Sequence, residues 1–132
     1  YGRVGFVQWQ CVVPPDSTEV LGTIVDRFGA LPSYFTVLKR MGAANRSPLS
    51  FPIPGWTLAV DLPATRAALA ALGELDRLVA TCGGRVYLAK DARLDRDVFV
   101  QMYPRLAEFM AVRRRVDPTG RFRSDLAVRL GL

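Results

Sequence analysis

Of the 18 basic side chains in this chain, only Lys39 and Lys90 are lysine, so arginine is used almost wherever a cation will serve. A position that stays lysine is one where a compact ammonium on a flexible stem suits better than a forked guanidinium. Such a group can stabilise negative charge that develops at a reacting oxygen or on a reduced ring. A solvated lysine near a strand end would give the same pattern, so the two readings stand side by side. A second group is polar and uncharged. Gln8 and Gln10 alternate with Val7, Trp9 and Cys11, and Thr57 and Ala59 alternate with Trp56, Leu58 and Val60. Amides both donate and accept, which fits sugar hydroxyls better than a phosphate or a metal. Glutamines that merely meet water on an open sheet face would read alike.

Other chemistry is excluded. The chain has no histidine and no CxxC, which removes a Ser-His-Asp triad and a structural zinc site, and no metal site is expected. Cys11 and Cys82 read as buried free thiols. Asp91 and Asp95 lie in the charged run from Lys90 to Asp97, which marks the approach to a helix with capping carboxylates rather than a catalytic pair. Arg113, Arg114 and Arg115 fall where a helix end favours cations, and anionic-lipid binding is the weaker option for them.

The elements that must position these groups follow from periodicity. Val4 to Val13 alternates as a strand, with Gln8 and Gln10 on the side opposite Trp9. The run Pro14-Pro15-Asp16-Ser17 stops it and supplies an N-cap for an amphipathic helix that runs to about Gly29. Tyr34 to Met41 and Trp56 to Leu62 are two further strands, separated by a proline-broken loop from Gly42 to Pro54. Ala64 to Cys82 forms a second helix stopped by Gly83 and Gly84, and Arg85 to Leu88 a fourth strand. Helices follow over Arg96 to Val116, broken near Pro104, then a turn at Asp117 to Gly120 and a short helix from Ser124. The order strand, helix, strand, strand, helix, strand predicts an α+β ferredoxin-like split βαβ antiparallel sheet with helices on one face, plus C-terminal helices. The other face is expected to be open. It would carry Gln8, Gln10, Thr57 and Ala59. Lys39 lies near the end of the second strand and Lys90 just beyond the fourth, at opposite edges of the sheet.

With 132 residues, half of them hydrophobic, the chain suits one domain. Tyr1 is not an initiator methionine and a strand begins almost at once, so a piece of a longer protein is expected. No apolar run has membrane-spanning length and no secretory signal is visible, so the domain is expected to be soluble, with a cytoplasmic or membrane-associated location and a periplasmic one left open. The formal charge of +6 raises a nucleic-acid reading, since an open ferredoxin-like sheet is a platform for RNA. The run Arg3-Val4-Gly5-Phe6-Val7-Gln8-Trp9 fails that signature in detail, because Trp9 would face the helices. A regulatory or dimerisation module is a further reading.

Longer motifs are more specific. The runs Pro48-Leu49-Ser50-Phe51-Pro52-Ile53-Pro54-Gly55-Trp56, Gly84-Arg85-Val86-Tyr87-Leu88-Ala89-Lys90-Asp91, Met102-Tyr103-Pro104-Arg105, and Val112 to Pro118 followed by Phe122-Arg123-Ser124-Asp125-Leu126 resemble the C-terminal region of FAD-linked oxidases of the vanillyl-alcohol-oxidase and aldonolactone-oxidase type. The resemblance spans nearly the whole chain and implies a two-domain flavoenzyme. Residues 1–132 would be its C-terminal substrate-binding (cap) domain, and a separate N-terminal domain would hold most of the FAD. The implied reaction is oxidation of a secondary alcohol of a sugar. The ribose 2′-hydroxyl of a polyprenylphosphoryl ribose, in cell-wall arabinan synthesis, is favoured over an aldonolactone or alditol. It further implies that Gln8, Gln10, Lys39, Thr57 and Ala59 face substrate, that Tyr87 and Lys90 face the flavin, and that Lys90 is the catalytic cation. A short-chain reductase partner and contact with a membrane through a lipid substrate are implied, and nucleic acid is not. The chain departs from the pattern at Ala59, Thr57 and Met41, where the family resembled often carries cysteine, asparagine and an aromatic.

Overall fold

A computed structural model of the protein describes residues 2–132. Strand β1 (Phe6–Val13) turns Val7, Trp9, Cys11 and Val13 into the core. The helices α1 (Thr18–Gly29) and α2 (Arg66–Thr81) lie against that side. Trp9 touches both: its ring meets Phe28 of α1 at 5.4 Å between centroids, and its indole N–H donates to Asp76 of α2 at 2.8 Å. Thr65 caps α2 by accepting from the Ala68 amide at 3.2 Å. Ser17 occupies the N-cap position of α1 but makes no side-chain cap bond.

Strands β2 (Phe35–Met41) and β3 (Gly55–Pro63) complete the first βαββ unit. With β4 (Arg85–Val86) the sheet order is β2-β3-β1-β4, every neighbouring pair antiparallel. This is the expected split βαβ arrangement, and the second and fourth strands are its two edges. Two glycines permit close approach. A Cβ on Gly55, whose φ is 153°, would lie 2.0 Å from the Val13 carbonyl oxygen, and one on Gly84 would lie 2.6 Å from that of Val12.

The fourth strand is shorter than the Arg85 to Leu88 span expected from its hydrophobic run. Only Arg85 and Val86 pair with β1, and the chain then turns through a 3-10 turn at Leu88–Lys90. The outward groups of Val86 are taken by the next helix instead: its N–H lies 3.3 Å from Met102 Sδ, and its carbonyl accepts from the Tyr103 hydroxyl at 2.7 Å. This edge of the sheet is thereby closed to further pairing. Beyond it, α3 (Arg96–Met102) and α4 (Leu106–Val116) break at Pro104 as expected. Asp95 caps α3, and Ser124 caps α5 (Asp125–Leu130) through the Ala127 amide at 3.1 Å.

The face away from α1 and α2 is not wholly open. Val12 and Thr57 point there yet are 0% and 1% exposed. The loop over 42–54 lies across that end of the sheet. Arg85, opposite Val12 in the register, donates to the Ser50 carbonyl, and Ser50 and Phe51 are buried. The irregular loop was legible from its prolines, but its folding over the sheet is held by long-range contacts, from Arg85 to Ser50, from Arg105 to the Arg46 carbonyl and between Phe51 and Tyr87.

Candidate functional site

The sheet register places the expected site residues on one face. Successive rows across β2, β3 and β1 read Lys39, Thr57, Val12; then Val37, Ala59, Gln10; then Phe35, Asp61, Gln8. Gln8, Gln10, Lys39, Thr57 and Ala59 therefore share a surface, as period-two alternation requires. Gln10 is almost fully buried and donates from Nε2 to Thr57 Oγ1 at 2.9 Å, and that hydroxyl donates to the Cys11 carbonyl at 2.8 Å. The chain of bonds fixes the Gln10 amide. Gln8 is exposed and donates to Asp61 at 3.0 Å. Asp61 was on the right face by alternation, but its partnership with Gln8 was not anticipated.

Two clefts border this face, one on it and one at the edge of β1. One, of about 580 Å³, is lined by Gln10, Lys39, Tyr87, Met41 and the loop residues Ser47 and Phe51 among others. The Tyr87 ring packs on Phe51 at 4.6 Å, and its backbone N–H donates to the Gln10 carbonyl at 2.8 Å. The second cleft, of about 500 Å³, lies at the edge of β1 and is lined by Gln8, Lys90 and Phe6 together with Val7 and, from α2, Leu69. It exists because β4 ends early, leaving the start of β1 beside the 3-10 turn. The structure thus brings Lys39 together with Gln10 and Tyr87, and Lys90 together with Gln8. A further cleft of about 350 Å³ between α1 and α2 is mostly apolar, lies across the sheet from these groups, and is crossed by the Arg27–Glu74 ion pair at 3.6 Å.

Two exposed rings were not part of the expected polar floor. Phe35 and Phe6 flank the Gln8 row at 62% and 43% exposure. Phe35 continues into Val37 and small Ala59 as an apolar strip, and the hydrogen-bonded Asp61–Gln8 pair separates that strip from Phe6. An apolar strip suits the body of a planar heteroaromatic ring such as a flavin's, and a cation such as Lys90 suits an edge that gains charge. The strand-to-helix turns are Pro14-Pro15-Asp16-Ser17 and Ala64-Thr65. Neither has the glycines that let backbone N–H groups cradle a diphosphate, so these residues fit the ring and not the rest of a dinucleotide.

Burial pushes the Cys11 thiol far above its usual value. It does the same to the Tyr103 phenol, which the Arg85 guanidinium draws the other way. Neither is a nucleophile or base at neutral pH. Asp91 and Asp95 bind backbone amides, as capping carboxylates should.

Residues 64–130 match the model of the D-arabinono-1,4-lactone oxidase family. The chain belongs to this family. The matched stretch begins at the start of α2 and includes Tyr87 and Lys90; Gln8, Gln10, Lys39, Thr57 and Ala59 lie before it. This D-arabinono-1,4-lactone oxidase family member is 46% identical over 135 residues to decaprenylphosphoryl-beta-D-ribose oxidase of Mycolicibacterium smegmatis, which covers 100% of this chain and 29% of that protein. It is 43% identical over 131 residues to an uncharacterised protein in the mprA 5′ region of Streptomyces coelicolor, covering 97% of this chain and 36% of that protein. The chain thus spans about a third of the length of these curated relatives. No helix among the described residues is long and apolar enough to cross a membrane.

Proposed function

We propose that this chain is the substrate-binding, C-terminal part of an FAD-dependent oxidoreductase that oxidises a secondary alcohol of a sugar. The favoured substrate is the ribose 2′-hydroxyl of a polyprenylphosphoryl ribose, in arabinan precursor synthesis. The observation that carries this reading is the placement of Gln8, Gln10 and Lys39 on one sheet face with Lys90 at the edge of β1, in a chain with these relatives. An N-terminal domain would hold the nucleotide end of the cofactor, for which the turns at Pro14–Ser17 and Ala64–Thr65 offer no glycine cradle. A short-chain reductase would act on the product, and the lipid tail of the substrate would bring the protein to a membrane surface.

When bound, the flavin supplies the two-electron acceptor for hydride. This chain's residues then bind and orient. Gln10, held by Thr57, presents its amide to a sugar hydroxyl without having to be ordered on binding, which keeps the reacting carbon in place. Lys39 stands in the same cleft, where its ammonium pairs with a phosphate as a point charge. Tyr87, braced by Phe51, walls the cleft on the side of Lys90. Lys90 directs its ammonium to negative charge developing at the reacting oxygen or along the ring edge, an effect worth about 3 kcal/mol in a water-poor site. Ala59 leaves the floor shallow between Val37 and Gln10.

The family match favours a second reading, in which the substrate is an aldonolactone or alditol. Anaerobic mixing of the full-length flavoprotein with each candidate separates them. Bleaching of the flavin by a polyprenylphosphoryl ribose, and not by aldonolactones, is expected. Bleaching by aldonolactones alone would overturn the favoured substrate, and bleaching by neither would overturn sugar oxidation.

A further inference from the structure

Lys90 makes no side-chain hydrogen bond or ion pair among the described residues, so its location is set by the backbone that carries it. That backbone is held with unusual density on its far side. The Asp91 carboxylate, whose side chain is 2% exposed, accepts from the amides of Arg93 at 2.8 Å and Leu94 at 2.7 Å through one oxygen. Its other oxygen accepts from Arg129 Nη2 at 2.7 Å. Arg129, on α5, also donates from Nη1 to the Leu94 carbonyl, so one guanidinium grips both ends of the four residues that follow Lys90. A second tether comes from α2: Arg93 donates to Asp76 at 2.7 Å, and Asp76 is itself 2% exposed and bound to Trp9 in β1.

We propose that Arg129 is a positioning residue for Lys90, acting through Asp91. The residue after Lys90 cannot move without breaking a bidentate set of bonds to a nearly buried carboxylate, so the stem of Lys90 starts from a fixed point beside Gln8. This rests on the reading of Lys90 given above. A part that is merely structural would weaken the whole fold and would affect every function of the site by the same factor whatever stands at position 90.

A double-mutant cycle in the full-length flavoprotein tests this, with Arg129→Met, Lys90→Met and the pair. Two readouts are taken: the rate of flavin reduction at saturating substrate and, without turnover, the midpoint potential of the bound flavin. With Lys90 present, Arg129→Met should slow reduction about tenfold and weaken the charged, reduced state about tenfold, which for a two-electron couple lowers the potential by about 30 mV. In the Lys90→Met background the same substitution should change both by less than about twofold. Equal factors in the two backgrounds, or no change in either, would overturn the proposal. If Arg129→Met yields no folded flavoprotein, Asp91→Asn decides, because the amide oxygen keeps an acceptor for the two backbone amides while the NH2 in place of the other oxygen cannot accept from Arg129. A Lys90→Met enzyme with unaltered rate and potential would overturn the reading of Lys90, and the role of Arg129 with it.

Discussion

Asp76 joins three elements through one buried carboxylate: α2 carries it, β1 supplies Trp9 and the segment before α3 supplies Arg93. Removing it would leave a largely buried guanidinium and an indole N–H without partners. Breaking a buried pair from one side typically costs about 3–5 kcal/mol, so Asp76→Ala should lower the denaturant midpoint accordingly without changing the slope of the transition. Tyr103 makes a pH prediction. Burial raises its phenol above the usual value of about 10. A group whose folded value is raised contributes stability that is complete below its unfolded value and is lost as pH rises beyond it. Phenolate absorbance from Tyr103 should therefore appear only with alkaline unfolding. Early titration at about pH 10, with near-UV dichroism intact, would contradict the burial. Cys11, with its thiol both enclosed and raised, should resist thiol reagents until the protein unfolds.

At the level of elements, Gly84 lets the end of α2 and the start of β4 lie against β1. An added methyl would meet the Val12 carbonyl oxygen at 2.6 Å and Val79 Cγ1 at 2.8 Å. Gly84→Ala should destabilise by about 1–3 kcal/mol through overpacking, read from thermal or denaturant unfolding. Alternation and capping made the order and limits of most elements legible in the sequence, because each rests on local spacing. The shortness of β4 was not legible. Its hydrophobic run through Leu88 looks like strand, and what ends it is Met102 and Tyr103 taking the outward groups of Val86 from sixteen and seventeen residues away.

At the level of the whole molecule, the two faces of the sheet were legible because the side-chain period of a strand is fixed, and so the grouping of Gln8, Gln10, Thr57 and Ala59 followed, whereas Lys39 joined them through the family resemblance. Their division into two clefts was not, since it depends on the loop over 42–54 folding across Val12 and on the early turn at Leu88. The placement of Asp91 and Arg129 was equally hidden, as their contact joins positions 38 residues apart. The division has a functional consequence. Lys39 and Lys90 line different clefts, so removing each should have a different kinetic signature. Lys39→Met should raise the substrate concentration needed for half-maximal reduction, with little effect on the rate at saturation. Lys90→Met keeps much of the stem's packing and removes the charge, so folding and flavin content should survive. The decisive measurement is rapid anaerobic mixing of the full-length Lys90→Met flavoprotein with saturating substrate. Flavin reduction slowed by about 100-fold is expected if the ammonium stabilises developing charge, and reduction at the unaltered rate would contradict the assignment of this site.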